Sequence, residues 1–160
     1  MDLARILAPD SVRYARDVRS KKHALDILSE MLAAAGGKPS AAEVLNGLAS
    51  RERLGSTALG HCVAMPHARL PGLERTVAAF LRLEEGVEFD APDDRPVDLL
   101  LAIVVPWGSS NQELKELREL VRTLRDPALQ TRLRATEDPA ELHRILCGDD
   151  DTGLRRRING

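Results

Sequence analysis

Aromatic residues are nearly missing from this 160-residue chain: Tyr14, Phe80, Phe89 and Trp107 are the whole set. So few rings cannot build a base-stacking platform, which argues against a single-stranded nucleic-acid binder. The core must be aliphatic instead. Cysteine is scarce as well. Cys62 and Cys147 lie far apart, so there is no disulfide framework and no CxxC metal or redox pair. Neither sign of charge is in excess. With 23 basic and 25 acidic side chains, the formal net charge of -2 sets up no field for nucleic acid or a membrane surface. Long apolar runs are missing too. The longest, residues 97–106, contains Asp98 and is strand length, short of the roughly 18 residues of a membrane span. The opening Met-Asp-Leu-Ala-Arg lacks the basic start and apolar stretch of a secretory signal. These absences predict a cytoplasmic protein that neither binds nucleic acid nor inserts into a membrane. With 43% hydrophobic and 30% charged residues, the chain has the balance of one ordinary globular domain.

What is present falls into strong elements around one weak stretch. A short turn over 3–7 ends at Pro9, and Ser11 to Arg16 alternates like a strand through Val12 and Tyr14. Ser20 is placed to cap a helix carrying Leu25, Leu28, Met31 and Leu32 on one face, with Gly36-Gly37 as its stop. Ser40 to Glu43 spells a capping box, and its helix runs to about Gly55. Residues 76–83 and 87–89 read as two strands around Glu84-Glu85-Gly86. Residues 97–105 form the best strand, apolar enough to be buried on both faces. Ser110 to Glu113 spells a second capping box, opening a helix with Leu117, Leu120, Val121 and Leu124 inward. Shorter helices over 128–135 and from Pro139 to Cys147 complete the domain at 1–148. Residues 149–160 read as a disordered tail. Helices bracketing a buried sheet predict a three-layer α/β/α fold. Two long helices in direct succession break a regular βα alternation, so the central sheet should be mixed.

The weak stretch, residues 55–72, has no periodicity and reads as loop-rich. It is where chemistry concentrates. His67 follows Pro66, whose fixed φ constrains the approach to it. With an ordinary pKa of about 6.5, a histidine is largely neutral and nucleophilic near pH 7. Hydroxyls (Ser56, Thr57) and cations (Arg51, Arg69) are the groups a phosphoryl moiety needs around it. Each also has a plain structural reading. Arg51 fits the C-terminal turn of a helix, Ser56 and Thr57 can close a turn, and Glu113 fits the N3 place of its capping box. His61, Cys62 and His67 match no zinc-ligand spacing, so no metal is expected.

Nine positions in this stretch carry a specific resemblance: Glu52, Leu59, Gly60, Val63, Ala64, Met65, Pro66, His67 and Ala68. They match the phosphorylation-site signature of the type-2 enzyme IIA domains of the bacterial phosphoenolpyruvate-dependent phosphotransferase system. That family comprises the fructose, mannitol and nitrogen-regulatory IIA proteins. Leu3, Ile6, Leu7, Pro9 and Val12 near the start, and Val97 to Leu100 later, are similar to the family as well. A chain of this length without a carrier, IIB or membrane IIC module most resembles the nitrogen-regulatory branch. The resemblance implies that His67 accepts a phosphoryl group from an HPr-like carrier protein, with Arg51 as the active-site arginine and no cofactor. It implies an output through protein contacts with regulatory targets, related to nitrogen or potassium, and so a phosphotransferase component. The family's second active-site histidine is replaced here by Glu113, and His61-Cys62 stands where many members have Asn-Gly. Two alternatives follow: a binding module that is no longer phosphorylated, or a sugar-specific IIA that donates to a separate IIB. His61 could supply the missing imidazole from the loop side.

Overall fold

The computed structural model describes residues 2–148; the expected tail at 149–160 lies outside the described residues. Ser20 and Ser40 do what their positions predict. The Ser20 hydroxyl accepts from the His23 N–H at the start of α2 (Lys21–Gly36). Ser40 and Glu43 close a reciprocal capping box on α3 (Ala41–Leu54). A short helix α1 (Leu3–Ile6) precedes these, followed by a 3-10 turn at Pro9–Ser11 and strand β1 (Val12–Ala15).

The stretch expected to be loop contains three short strands, β2 (Ala58–Gly60), β3 (Val63–Ala64) and β4 (His67–Leu70). Their signal was weak because each is too short for a period, and β3 and β4 obtain their order from a neighbour. Both run parallel to β6 (Val97–Pro106), β3 beside Leu99 and Leu100, β4 beside Ile103 to Pro106. Met65 and Pro66 interrupt what would otherwise be one strand, since proline has no N–H for a ladder.

The two strands expected at 76–83 and 87–89 are one, β5 (Val77–Val87). Glu84 to Gly86 form an irregularity in the ladder with β6, not a turn. At Gly86 a Cβ would lie 2.9 Å from the Pro96 Cβ, so the close approach excludes a side chain there. The sheet order is β1-β5-β6-β3-β2, with β4 also on β6, and it is mixed. The β1–β5, β3–β6 and β4–β6 pairs are parallel, whereas β5–β6 and β2–β3 are antiparallel.

Period-two alternation along β6 sends Leu100, Ala102 and Val104 to one core, under α2 and α3. Leu99, Leu101, Ile103 and Val105 go to a second core, under α4 (Asn111–Leu124), α5 (Pro127–Arg134) and α6 (Pro139–Cys147). Hence β6 is buried on both faces and the fold has three layers, as the helix–strand pattern predicts.

β2 and β3 are joined through His61 and Cys62, with φ of 56° and 67°. Two successive positive-φ residues make the hairpin loop that favours Asn-Gly. His-Cys pays the left-handed penalty there, roughly 1–2 kcal/mol per residue. The His61 N–H donates to Asp93 Oδ2 at 2.9 Å, which holds the loop and lowers the Asp93 pKa below its ordinary value; the Arg95 N–H and charge add to this. The pair His61→Asn and Cys62→Gly should therefore stabilise the protein by about 1 kcal/mol. A higher urea midpoint at unchanged slope is the readout, and an unchanged midpoint would show that this loop carries no strain.

Candidate functional site

The motif positions divide into those that build the site and those that occupy it. Glu52, its acidic position, is buried at 8% exposure near the end of α3. Its carboxylate accepts from the Thr57 N–H at 3.2 Å and from the Thr57 hydroxyl, and pairs with Lys21 Nζ at 2.9 Å. Glu52 therefore ties the end of α3 to the chain entering β2 and to the start of α2. Ala68, the small residue after His67, lies where α3 crosses β4. A Cβ on Gly47 would stand 3.5 Å from the Ala68 Cβ and 2.4 Å from Leu70 Cδ2. The two backbones are drawn together at this point. Arg51 lies one helical turn beyond Gly47, on the same helix face, and its Nη1 donates to the Gly55 carbonyl at 2.8 Å.

Alternation along β4 sets the direction of His67. Ala68 and Leu70 pack on the α2–α3 core, so His67 and Arg69 project to the α4 side. The His67 Nδ1 lies 3.0 Å from the Met65 carbonyl oxygen. A carbonyl can only accept, so Nδ1 carries the hydrogen and the lone pair is at Nε2. The ring is thus presented as a nucleophile with one defined reactive atom, held by the segment that leads into its strand. It borders a groove of about 920 Å³ whose lining includes Arg51, Arg53, Leu54, Arg69 and Trp107. It also borders a cavity of about 30 Å³ shared with Ser109, Glu113 and Leu117.

His67 and Arg69 thus share the groove with Arg51 and the small cavity with Glu113. Ser56 and Thr57 line neither space. The Ser56 hydroxyl donates to the Phe89 carbonyl and accepts from the Ala58 N–H, while the Thr57 hydroxyl is engaged by Glu52. Both hydroxyls are occupied in fastening the β2 entry. His61 is distant as well. The Cys62 carbonyl next to it accepts from the Asp98 and Leu99 N–H groups, whereas Pro66 beside His67 accepts from Ile103. In the ladder Val63 lies beside Leu99 and His67 beside Ile103, four residues apart along β6, about 13 Å at roughly 3.3 Å per residue. The structure does not bring His61 to His67; its backbone is held by Asp93 and Arg134 instead. His143 is occupied elsewhere, its Nε2 2.9 Å from the Leu7 carbonyl oxygen.

At the start of α4 the expected capping box does not form. Ser110 is the N-cap, but its side chain makes no capping hydrogen bond. The Glu113 side chain is not folded back on the helix, and its Oε2 is buried without a hydrogen-bond partner. The carboxylate faces the small cavity at His67 on one side. On the other it borders a second cavity whose lining includes Arg5 and Arg75 together with Asp2 and Glu116. Glu113 thus stands in the first turn of α4, as the Ser-x-x-Glu spacing predicts, but without the capping contact that spacing suggests. Trp107 and Ser109, on the connection after β6, were missed. No periodicity or motif singled them out. Among the described residues no three His, Cys, Asp or Glu side chains converge where they could hold a metal ion, and no helix is long and apolar enough to cross a membrane.

Comparison with known proteins agrees with this geometry. The family model described as "Phosphoenolpyruvate-dependent sugar phosphotransferase system, EIIA 2" matches residues 5–147. A nitrogen regulatory protein of Bradyrhizobium diazoefficiens is 37% identical over 146 residues, spanning 91% of this chain and 95% of the relative. One from Escherichia coli is 35% identical over 153 residues, spanning 95% and 93%. Among solved structures, the nitrogen regulatory protein IIA-Ntr of Neisseria meningitidis superposes with a TM-score of 0.83 at 32% identity, covering 90% of this chain and 98% of that one. The mannitol IIA of Escherichia coli, in its complex with phosphorylated IIB, shares the fold at a TM-score of 0.74 and 23% identity, with 89% and 99% covered. A buried mixed sheet, a proline-set histidine on its parallel edge strand and an arginine at the adjacent helix end thus have a common explanation: this chain belongs to the type-2 EIIA family of the phosphoenolpyruvate-dependent phosphotransferase system.

Proposed function

We propose that this protein is a phosphohistidine carrier and regulator, accepting a phosphoryl group on Nε2 of His67 from an HPr-like carrier protein. The observation that carries the reading is the bond between His67 Nδ1 and the Met65 carbonyl, which leaves Nε2 as the nitrogen with a lone pair. That lone pair forms the new N–P bond as the P–N bond to the carrier's imidazole breaks. The carrier ring retains the electron pair of that bond and is protonated. Arg51 and Arg69 offer guanidinium donors to the phosphoryl oxygens. The names of the relatives favour a regulatory output, exerted on target proteins through contacts that depend on the state of His67. The domain at 1–148 and a cytoplasmic location belong to the same reading. Incubation with phosphoenolpyruvate, enzyme I and the HPr-like carrier should raise the intact mass by one phosphoryl unit. An unchanged mass beside a fully phosphorylated carrier would refute the proposal.

Glu113 favours a second emphasis within this reading, a protein that resides mainly unphosphorylated. A carboxylate about 5 Å from a doubly charged phosphoryl group costs roughly 1.7 kcal/mol even at the dielectric of water. Glu113→Gln, which keeps the shape and removes the charge, should shift the phosphoryl equilibrium with the carrier toward this protein by about tenfold. Glu113→His should act in the same direction. The phosphorylated fraction at a fixed carrier ratio measures it, and a fraction unmoved by either substitution would rule out the repulsion.

A further inference from the structure

We propose that Leu54 and Trp107 are docking contacts through which the groove at His67 selects a protein as phosphoryl donor; this deepens, and rests on, the reading of His67 as the acceptor. Among the described residues these are the two large hydrophobic side chains left exposed, at 84% and 67%. A single exposed leucine needs no explanation. Here the two come from different elements, one from the last residue of α3 and one from the residue following β6, and they border the same groove as His67. An apolar pair beside a nucleophile is the arrangement of a contact surface, and tryptophan is the residue type most enriched among side chains that dominate such contacts.

Charge and order support the same occupant. Arg51, Arg53 and Arg69 line this groove with Glu43 as the acid. It therefore complements a dianionic phosphoryl group carried on an otherwise apolar face. A small phosphorylated molecule would engage the cations and leave Leu54 and Trp107 in water, whereas a folded donor covers all of them. The backbone beneath both anchors is held in advance. The Trp107 N–H donates to the Leu70 carbonyl at 3.1 Å, continuing the β4–β6 ladder beneath the exposed ring. Leu54 adjoins Gly55, whose carbonyl holds Arg51. A surface already ordered loses little entropy on docking.

The experiment compares two donors on the full chain: the phosphorylated HPr-like carrier, and phosphoramidate, a small molecule with no surface to dock. For Trp107→Ala and for Leu54→Ser, the ratio of carrier-driven to phosphoramidate-driven phosphorylation should fall at least tenfold. The loss should appear as a raised KM for the carrier. A ratio equal to wild type in both variants overturns the proposal, because the two side chains then do not discriminate between donors. Wild type that accepts from phosphoramidate and not from the carrier also overturns it, leaving His67 intact as acceptor. Wild type that accepts from neither removes the acceptor reading itself, and the docking role with it.

Discussion

His67→Ala protein should take up no phosphoryl group when incubated with phosphoenolpyruvate, enzyme I and the HPr-like carrier, while wild type should gain one. The effect is complete because no other imidazole is in reach. His61 is in the β2–β3 loop, beyond Val63, which lies four residues along β6 from His67, about 13 Å at roughly 3.3 Å per residue. His143 is bonded to the Leu7 carbonyl under α6, and His23 is exposed in the first turn of α2. The wild-type adduct should be lost in acid, as expected of a phosphorus–nitrogen bond, and mapping should place it on His67. His67→Gln supplies the control for shape, keeping a polar side chain at a half-buried position. It should fold normally by circular dichroism and remain unmodified. A phosphoryl group on either variant would move the acceptor elsewhere and dissolve the argument from the Met65 carbonyl.

The parts of this molecule that could be read from sequence are those whose signal is local. Ser20 and Ser40 announce helices because a hydroxyl satisfies a nearby orphan N–H whatever surrounds it. Residues 97–105 announce a buried strand because burial on both faces leaves little room for polar residues. The parts misread depend on distant partners. β3 and β4 are too short to show a period, and they exist because β6 offers them a parallel ladder. Glu84 to Gly86 resemble a turn in composition, yet the chain continues as an irregular strand, with Pro96 and Val97 so close to Gly86 that no side chain fits there. The site follows the same rule. The motif singles out His67 as the candidate acceptor, and the family resemblance adds Arg51 near the end of α3. It does not disclose that Ser56 and Thr57 face Phe89 and Glu52. It also does not disclose that Glu113 leaves its helix cap unmade and turns a carboxylate oxygen into the interior. A Ser-x-x-Glu spacing permits a capping box, but whether the box closes depends on what the opposite side of the glutamate meets. Here that is the small cavity at His67 and the arginine-lined cavity behind it.

Arg51→Lys should slow phosphorylation of His67 by about ten- to a hundredfold while the fold stays intact. Arg51 occupies the last turn of α3, anchored by the donation from Nη1 to the Gly55 carbonyl. That bond uses one arm of the guanidinium and leaves the remaining N–H groups of the fork for phosphoryl oxygens in the groove it shares with His67. Lysine retains the charge but is a single compact donor group on a flexible stem. It cannot hold the carbonyl and grip the phosphoryl in the same planar geometry. One charge-assisted hydrogen bond is worth roughly 1.5–3 kcal/mol, and its full loss at the transition state gives the stated factor. Because the anchor is to a backbone carbonyl at an exposed helix end, its loss should change stability little, which separates this effect from misfolding. The discriminating measurement is the single-turnover rate from the phosphorylated carrier, with thermal midpoint and circular dichroism alongside. If Arg51 acts on the transferring group, Arg51→Lys and Arg51→Ala both lower the saturated rate, and with phosphoramidate as donor the loss persists. A rate equal to wild type at unchanged stability would take Arg51 out of the chemistry and leave it as a helix-terminal cation.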